Sequence, residues 1–134
     1  MANPIPNEMK IGTVGELLVQ LRLLQHDVQA APPLKDSGND LIALKAYAVR
    51  CVQVKTTRND IPAWPPEEKL YHLLAVVRLE GDGRNLHLDT TSVYLLSREE
   101  ASRVTRSWDG LERFKLDEDR VATLFATAHD LVQV

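Results

Sequence analysis

The segment that most constrains the fold is residues 48–55, a predicted strand that is apolar on both of its faces. Its apolar side chains alternate between the faces, with Val49 and Cys51 on one and Val52 and Val54 on the other. A strand of this kind fits the centre of a sheet, where neighbouring elements cover both faces. Gln53 and Lys55 near its end then either have polar partners, because burial without partners is costly, or lie in solvent at the strand end.

A second predicted strand, residues 40–44, precedes this one, and a tight connection near residues 45–47 joins the two. In an antiparallel hairpin with this tip, the numbers of opposed residues sum to about 93 or 94. Asp40 then lies beside Gln53, Val54 and Lys55. Since Gln53 and Lys55 are two residues apart, their side chains leave the same face of the strand. The hairpin therefore brings a carboxylate, an amide and an ammonium together at its open end.

The N-terminal part is predicted to form a loose arm, residues 1–9, and then an amphipathic helix over residues 13–25. The helix is indicated by apolar residues at helical spacing, namely Val14, Leu17, Leu18, Leu21 and Leu24. A short strand over residues 28–31 is expected next, because Pro32 and Pro33 end it.

The second half is predicted to begin with a proline-rich loop, residues 56–69, whose length favours a functional role. Further strands are expected over residues 71–80, 85–88 and 92–96, the first two joined in a hairpin by a glycine-containing turn.

Two helices are expected near the C-terminal end. Ser97 and Glu100 have the spacing of a capping box, which predicts a helix from there to about Arg106, broken at residues 108–110. Asp117 is expected to cap a last helix, whose apolar stripe is Val121, Leu124, Phe125, Ala128, Leu131 and Val132. The predicted fold class is α/β or α+β with an N-terminal helix, one mixed central sheet of about five strands and flanking C-terminal helices.

The amino-acid composition limits the classes of protein to which this chain can belong. The chain has 134 residues, of which 44% are hydrophobic and 26% charged, so we expect a single globular domain over residues 1–134. One cysteine excludes an internal disulfide. The N-terminal sequence lacks the pattern of a signal peptide and no apolar run is long enough to span a membrane, so a cytoplasmic protein is expected. The net charge of −3 means that any site for a polyanion must be local.

Three short segments resemble a known family. Gly38-Asn39-Asp40-Leu41 followed by Val52-Gln53-Val54-Lys55-Thr56 is similar to the second and third motifs of the PD-(D/E)XK nuclease superfamily, which includes restriction endonucleases and Holliday-junction resolvases. The upstream Gly12-Thr13-Val14-Gly15-Glu16 resembles the opening of that family's first helix with its glutamate. The resemblance implies a restriction-endonuclease-like core and a Mg²⁺- or Mn²⁺-dependent endonuclease that hydrolyses DNA.

The resemblance also implies a role for each candidate residue. Asp40 is the central metal ligand, Glu16 binds the same metal directly or through water, and Gln53 supplies a neutral third ligand. Lys55 lies against the scissile phosphate, where it orients the attacking water and stabilises negative charge. Three residues that directly follow, Thr56, Thr57 and Arg58, are candidates for phosphate contacts. One active site in each chain favours a homodimer for cutting both strands of a duplex.

The sequence leaves alternatives open. Most members of the superfamily carry Glu or Asp where this chain has Gln53, so the metal should bind more weakly. Glu16 is otherwise an exposed helix carboxylate that interacts with the helix dipole, and Arg58 is equally well a surface charge. Two other functions remain possible: a catalytically degenerate module that binds nucleic acid or a protein, and a structural subunit of a larger complex.

Overall fold

The strand that the sequence places at the centre of a sheet is the third of five in the structure. The computed structural model describes residues 5–35, 38–81 and 84–127. Its elements, in chain order, are α1 (Asn7–Leu24), β1 (Gln29–Ala31), β2 (Leu41–Lys45), β3 (Ala48–Thr57), β4 (Leu73–Arg78), β5 (Ser92–Ser97), α2 (Arg98–Arg103), α3 (Trp108–Leu111), a short 3₁₀ turn (Glu112–Phe114) and α4 (Glu118–Leu124).

The five strands form one mixed sheet in the order β1-β2-β3-β4-β5. The first three strands form an antiparallel meander, β4 is parallel to β3, and β5 is antiparallel to β4. Leu41 is paired with Val52, so the register is the one expected from the hairpin. The predicted mixed sheet of about five strands with an N-terminal helix and C-terminal helices is confirmed.

The strands β2 and β3 differ in length, and this difference creates an open edge. β2 begins at Leu41, opposite Val52, whereas β3 continues for five further residues, to Thr57. Those five residues, 53–57, are paired with β4 alone. The chain then crosses to the parallel β4 through residues 58–72, which contain no helix.

Each face of the sheet carries its own apolar cluster. On one face, α1 and α4 pack against the side chains of Val52 and Val54. On the other face, α2, α3 and the loop of residues 58–72 cover Leu74 and Val76 of β4. β3 is central in the sheet, as its sequence predicts, but its face opposite α1 is covered only in part, because Val49 on that face is 50% exposed.

The helix α1 differs from its prediction in length and in orientation. It begins at Asn7, so residues 7–9 of the predicted arm are helical, and residues 1–4 of that arm lie outside the described residues. Its buried apolar side chains are Leu18, Val19 and Leu23. Three members of the predicted stripe, Leu17, Leu21 and Leu24, are exposed. The predicted stripe is right only for Leu18 and, in part, Val14, because leucines occur on more than one side of this helix and spacing alone does not select the buried side.

Other predictions hold in part. The capping box of Ser97 and Glu100 is present, but α2 ends at Arg103 rather than Arg106. Residues 108–110 do not break a helix; instead, the Ser107 side chain caps the short helix α3 there. Residues 85–88 form no strand and contribute one isolated bridge, between Gly81 and Leu86.

The last helix begins as predicted, with the Asp117 side chain accepting a hydrogen bond from the Arg120 backbone N–H. Its stripe is confirmed where the structure describes it, because Val121, Leu124 and Phe125 are buried. Ala128, Leu131 and Val132 lie outside the described residues. Among the described residues, no helix is long and apolar enough to cross a membrane.

A glycine allows α1 to approach β3 closely. A Cβ atom added to Gly15 would lie 1.7 Å from the Thr56 side-chain oxygen, a separation that no side chain tolerates. The absence of a side chain at Gly15 therefore sets the distance between this part of α1 and the end of β3. Glu16, the next residue, is held beside the sheet by the same contact.

We expect Gly15→Ala to lower the free energy of unfolding by about 1–3 kcal/mol, the usual cost of overpacking. The matched control is Gly12→Ala in the same helix, where an added Cβ meets nothing within 4 Å. That substitution should raise stability by up to about 1 kcal/mol through helix propensity. Chemical denaturation measures both changes, and an equal gain in the two variants would contradict the close contact.

Candidate active site

Asp40 occupies the position where a continued β2 would pair with β3. Its backbone N–H donates to the carbonyl of Val52 at 3.1 Å, which extends the ladder by one bond. Its Oδ2 atom then accepts two hydrogen bonds, from the backbone N–H of Val54 at 2.8 Å and from Nε2 of Gln53 at 2.9 Å. The carboxylate thus takes the place of backbone in the sheet, which fixes its position.

The side-chain oxygen of Gln53, beside Asp40, is a hydrogen-bond acceptor to which no described group donates. Its side chain is buried, with 9% of the residue exposed, and its Nε2 is bonded to Asp40. The opposite amide orientation would set two acceptors against each other, so the bond to Asp40 determines which atom is which. Within the described residues, Oε1 of Gln53 has no hydrogen-bond partner. A buried oxygen of this kind is costly unless a donor or a cation binds it.

Glu16 reaches the same place from α1. Its carboxyl group lies within hydrogen-bonding reach of the Asp40 carboxyl group. The pKa of Glu16 is raised above 4.5, first by burial and then by the negative charge of Asp40 and the hydrogen bond to it. Glu16 is therefore a half-buried partner of Asp40 and not an exposed carboxylate beside the helix end.

Lys55 lies two residues beyond Gln53 on the same strand. In the parallel register it is paired with Val76, and Gln53 is paired with Leu74, both in the apolar cluster on the face opposite α1. The side chains of Gln53 and Lys55 therefore share that face, about 7 Å apart along the strand. Lys55 is half-buried, and its ammonium forms no ion pair with any described carboxylate.

The three candidates for phosphate contacts, Thr56, Thr57 and Arg58, lie at the end of β3 and at the start of the loop that follows it. The Thr56 side-chain oxygen is buried against Gly15 and has no partner among the described residues. The Thr57 hydroxyl donates to the carbonyl of Asp60. The Arg58 guanidinium donates to the carbonyl of Gly81 at 2.9 Å. These bonds shape the loop after β3, and the proposed role of these residues in binding DNA stays a prediction.

Two further residues border the site, and neither was predicted from the sequence to belong to it. Asn39 precedes Asp40, and its Oδ1 atom is buried without a partner in the described part of the chain. Lys69, in the loop before β4, lies against Gly38, since its Nζ would be 3.9 Å from a Cβ added there. Gly38 has a φ of 86°, which glycine adopts without strain. Only the tertiary fold brings Lys69 here, so no local pattern could have revealed it.

The oxygen atoms gathered here are of the type that a hard divalent cation binds. The neighbouring carboxylates of Glu16 and Asp40 repel each other unless a proton or a cation lies between them, and the amide oxygen of Gln53 has no partner in the described part of the chain. The described residues contain no group of three His, Cys, Asp or Glu side chains placed to hold a metal. Glu16, Asp40 and Gln53 thus offer two charged oxygen ligands and one neutral one, and the binding of Mg²⁺ or Mn²⁺ to them stays a prediction.

We expect the stability of this protein to depend on pH through Glu16. A raised pKa means that the folded state favours protonated Glu16, so this contribution is present below pH 4.5 and is lost as the pH rises through the folded pKa. Glu16→Gln should therefore be more stable than the wild type at neutral pH and not below pH 4.5. Denaturant unfolding across this range measures the difference. Glu68→Gln, at an exposed loop position, is the control for net charge, and an equal profile in both variants would place Glu16 in solvent.

The similarity to the nucleases depends on short segments around Glu16, Asp40 and Gln53–Lys55, which together cover a small part of the chain. Comparison of the chain with protein-family models, with curated proteins and with solved structures finds no match.

Proposed function

We propose that this protein is a metal-dependent endonuclease of the PD-(D/E)XK type that hydrolyses DNA phosphodiester bonds. The observation that supports this most is the position of Asp40 at the open edge of β3, where it interacts with both Glu16 and Gln53 and where the buried amide oxygen of Gln53 has no partner among the described residues. Lys55 follows on the same face as Gln53. The restriction-endonuclease-like core is part of this proposal.

In the proposed enzyme, Glu16, Asp40 and Gln53 hold Mg²⁺ or Mn²⁺. When bound, the metal supplies positive charge to the reacting phosphate and lowers the pKa of a water molecule. Asp40 is well suited to hold a cation, because two donors from β3 fix one of its oxygens. A cation held between Glu16 and Asp40 would offset the repulsion between the two carboxylates and so favour the charged form of Glu16.

Lys55 acts on the substrate in this proposal. Its ammonium has no described carboxylate to neutralise it, so it is available to a phosphate oxygen. It stabilises the negative charge that develops on the phosphate and orients the attacking water. Its half-buried position strengthens both interactions, since the surroundings are less polar than water.

The proposal includes a homodimer and a cytoplasmic location. One chain offers one site, and two sites are needed to cut both strands of a duplex. The exposed leucines of α1, Leu17, Leu21 and Leu24, offer apolar surface of the kind that homodimers bury.

A second candidate is a catalytically degenerate module that keeps the fold and binds nucleic acid or a protein. Two observations favour it: the described residues provide no group of three metal-binding side chains of the His, Cys, Asp or Glu type, and Thr57 and Arg58 donate to the backbone carbonyls of Asp60 and Gly81. A pure binding module does not depend on Lys55 for any turnover.

Metal binding should depend on Asp40. We expect calorimetry to show weak binding of Mg²⁺ or Mn²⁺ to the wild type and none to Asp40→Asn, because the substitution removes the central negative charge. Gln53→Glu should tighten binding by adding a charge. Asp89→Asn, at an exposed position, is the matched control and should bind like the wild type. Equal binding to all four proteins would place the metal elsewhere.

Cleavage should depend on Lys55. Incubation with branched, single-stranded and duplex DNA and with RNA, at low salt with Mg²⁺ or Mn²⁺, should show hydrolysis by the wild type. Low salt is needed because binding by an acidic protein weakens steeply as salt rises. Lys55→Ala should reduce turnover by about 10²–10³-fold, the usual cost of losing one group that stabilises a developing charge.

Two controls separate chemistry from folding. Lys35→Ala removes the same charge at an exposed loop position and should leave cleavage unchanged. Lys55→Ala itself should still bind metal and unfold cooperatively. If the wild type and Lys55→Ala are equally inactive on every substrate with both metals, the degenerate module becomes the better conclusion.

A further inference from the structure

A second concave site lies on the same face of the sheet as Gln53 and Lys55. It is a cleft of about 450 Å³ between the loop of residues 58–72 and α2, lined by Trp64, Glu67, Tyr71, Arg98, Ser102 and Arg106. Its size falls in the range of small-molecule and cofactor sites. Two arginines face one glutamate in this lining, so the cleft is locally basic although the chain carries a net charge of −3.

The two arginines are each stacked on an aromatic ring. The guanidinium of Arg98 lies 4.4 Å from the ring centre of Tyr71, and that of Arg106 lies 5.2 Å from the ring centre of Trp64. Trp64 is itself held in place, since its indole N–H donates to the carbonyl of Ala101 at 2.8 Å. Arg98 also donates to the carbonyls of Glu67 and Lys69. The planar groups are therefore positioned before any ligand binds.

The cleft is connected to the candidate active site through the backbone. The N–H of His72 donates to the carbonyl of Cys51 in β3, and the N–H of Arg98 donates to the carbonyl of His72. Arg98 thus lies two strand spacings, about 10 Å, from β3. Lys69, whose carbonyl accepts from Arg98, has its ammonium beside Gly38. A line of cations therefore runs from the candidate site to the cleft over a distance that a few nucleotides of one strand span.

We propose that this cleft binds an unpaired nucleotide of the substrate, with its base stacked on the guanidinium planes and its phosphates near Lys69 and the arginines. Bases stack on arginine planes as they do on aromatic rings, and such contacts accept any base. The inference rests on the proposed function for its placement, and it extends that function by naming the substrate class. The preferred DNA carries a single-stranded extension or branch next to the bond that is cut.

The test is DNA binding measured without cleavage. We would measure fluorescence anisotropy of a labelled duplex with a short single-stranded extension, at low salt with a chelator present. A second probe has the same extension made of abasic residues, with equal charge and no bases. The wild type should bind the first probe at least about fivefold more tightly, the ratio expected from one stacked base.

Arg106→Ala tests the cleft with little risk to folding, because Arg106 is exposed. This variant should show a smaller preference for the first probe than the wild type, and Arg106→Lys should not restore it, because lysine keeps the charge but has no plane. The matched control is Arg113→Ala, since Arg113 is also exposed and lies 4.6 Å from the ring centre of Phe114, outside the cleft. It should keep the preference of the wild type.

Several results would overturn the inference. If the wild type binds both probes equally, the cleft makes no contact with a base. If Arg106→Lys fully restores the preference, the cleft makes only a phosphate contact. If Arg106→Ala keeps the preference of the wild type, the cleft does not bind the base and serves a protein partner or packing. The proposed cleavage is judged separately, because these measurements exclude divalent metal. If the protein prefers the probe with bases but does not hydrolyse DNA, this inference holds and the proposed nuclease activity is wrong. If it hydrolyses DNA without that preference, the nuclease activity holds and this inference is wrong.

Discussion

The candidate site depends on the side chain of Asp40, which replaces a backbone hydrogen-bond acceptor in the sheet. Where β2 begins, β3 continues without a partner on that side, and the Asp40 carboxylate accepts the Val54 N–H that a longer β2 would have accepted. A charged acceptor in a backbone ladder is held more firmly than a neutral one. Because Asp40 is fixed, the contacts to Gln53 on one face and to Glu16 from α1 have a defined geometry.

Much of this arrangement could be predicted from residues close together in the chain. The register of β2 and β3 follows from a tight turn, so the approach of Asp40 to Gln53 and Val54 requires no knowledge of the rest of the fold. The caps of α2 and α4 are equally local, since Ser97 and Asp117 bond to backbone three residues later. Local rules also identified β3 as a central strand.

The features that could not be predicted depend on contacts between residues that are far apart in the sequence. The buried side of α1 is decided by Gly15, whose missing side chain admits Thr56, and not by the more numerous leucines around it. Lys69 lies beside the site only because the chain returns in a parallel strand beside β3, and its carbonyl accepts from Arg98. The contacts of Thr57 and Arg58 with Asp60 and Gly81 likewise depend on how the crossing loop folds.

The parallel pairing of β3 with β4 has a consequence for synthesis of the protein. All four candidate residues are present once the ribosome has made residue 55, yet β3 then has a partner on one side only. Its other neighbour needs residues 73–78, and β4 in turn is completed by β5. Contacts of this kind close slowly because a long loop must be ordered first. The nascent chain therefore contains Glu16, Asp40, Gln53 and Lys55 well before it contains the strands that complete the sheet around them.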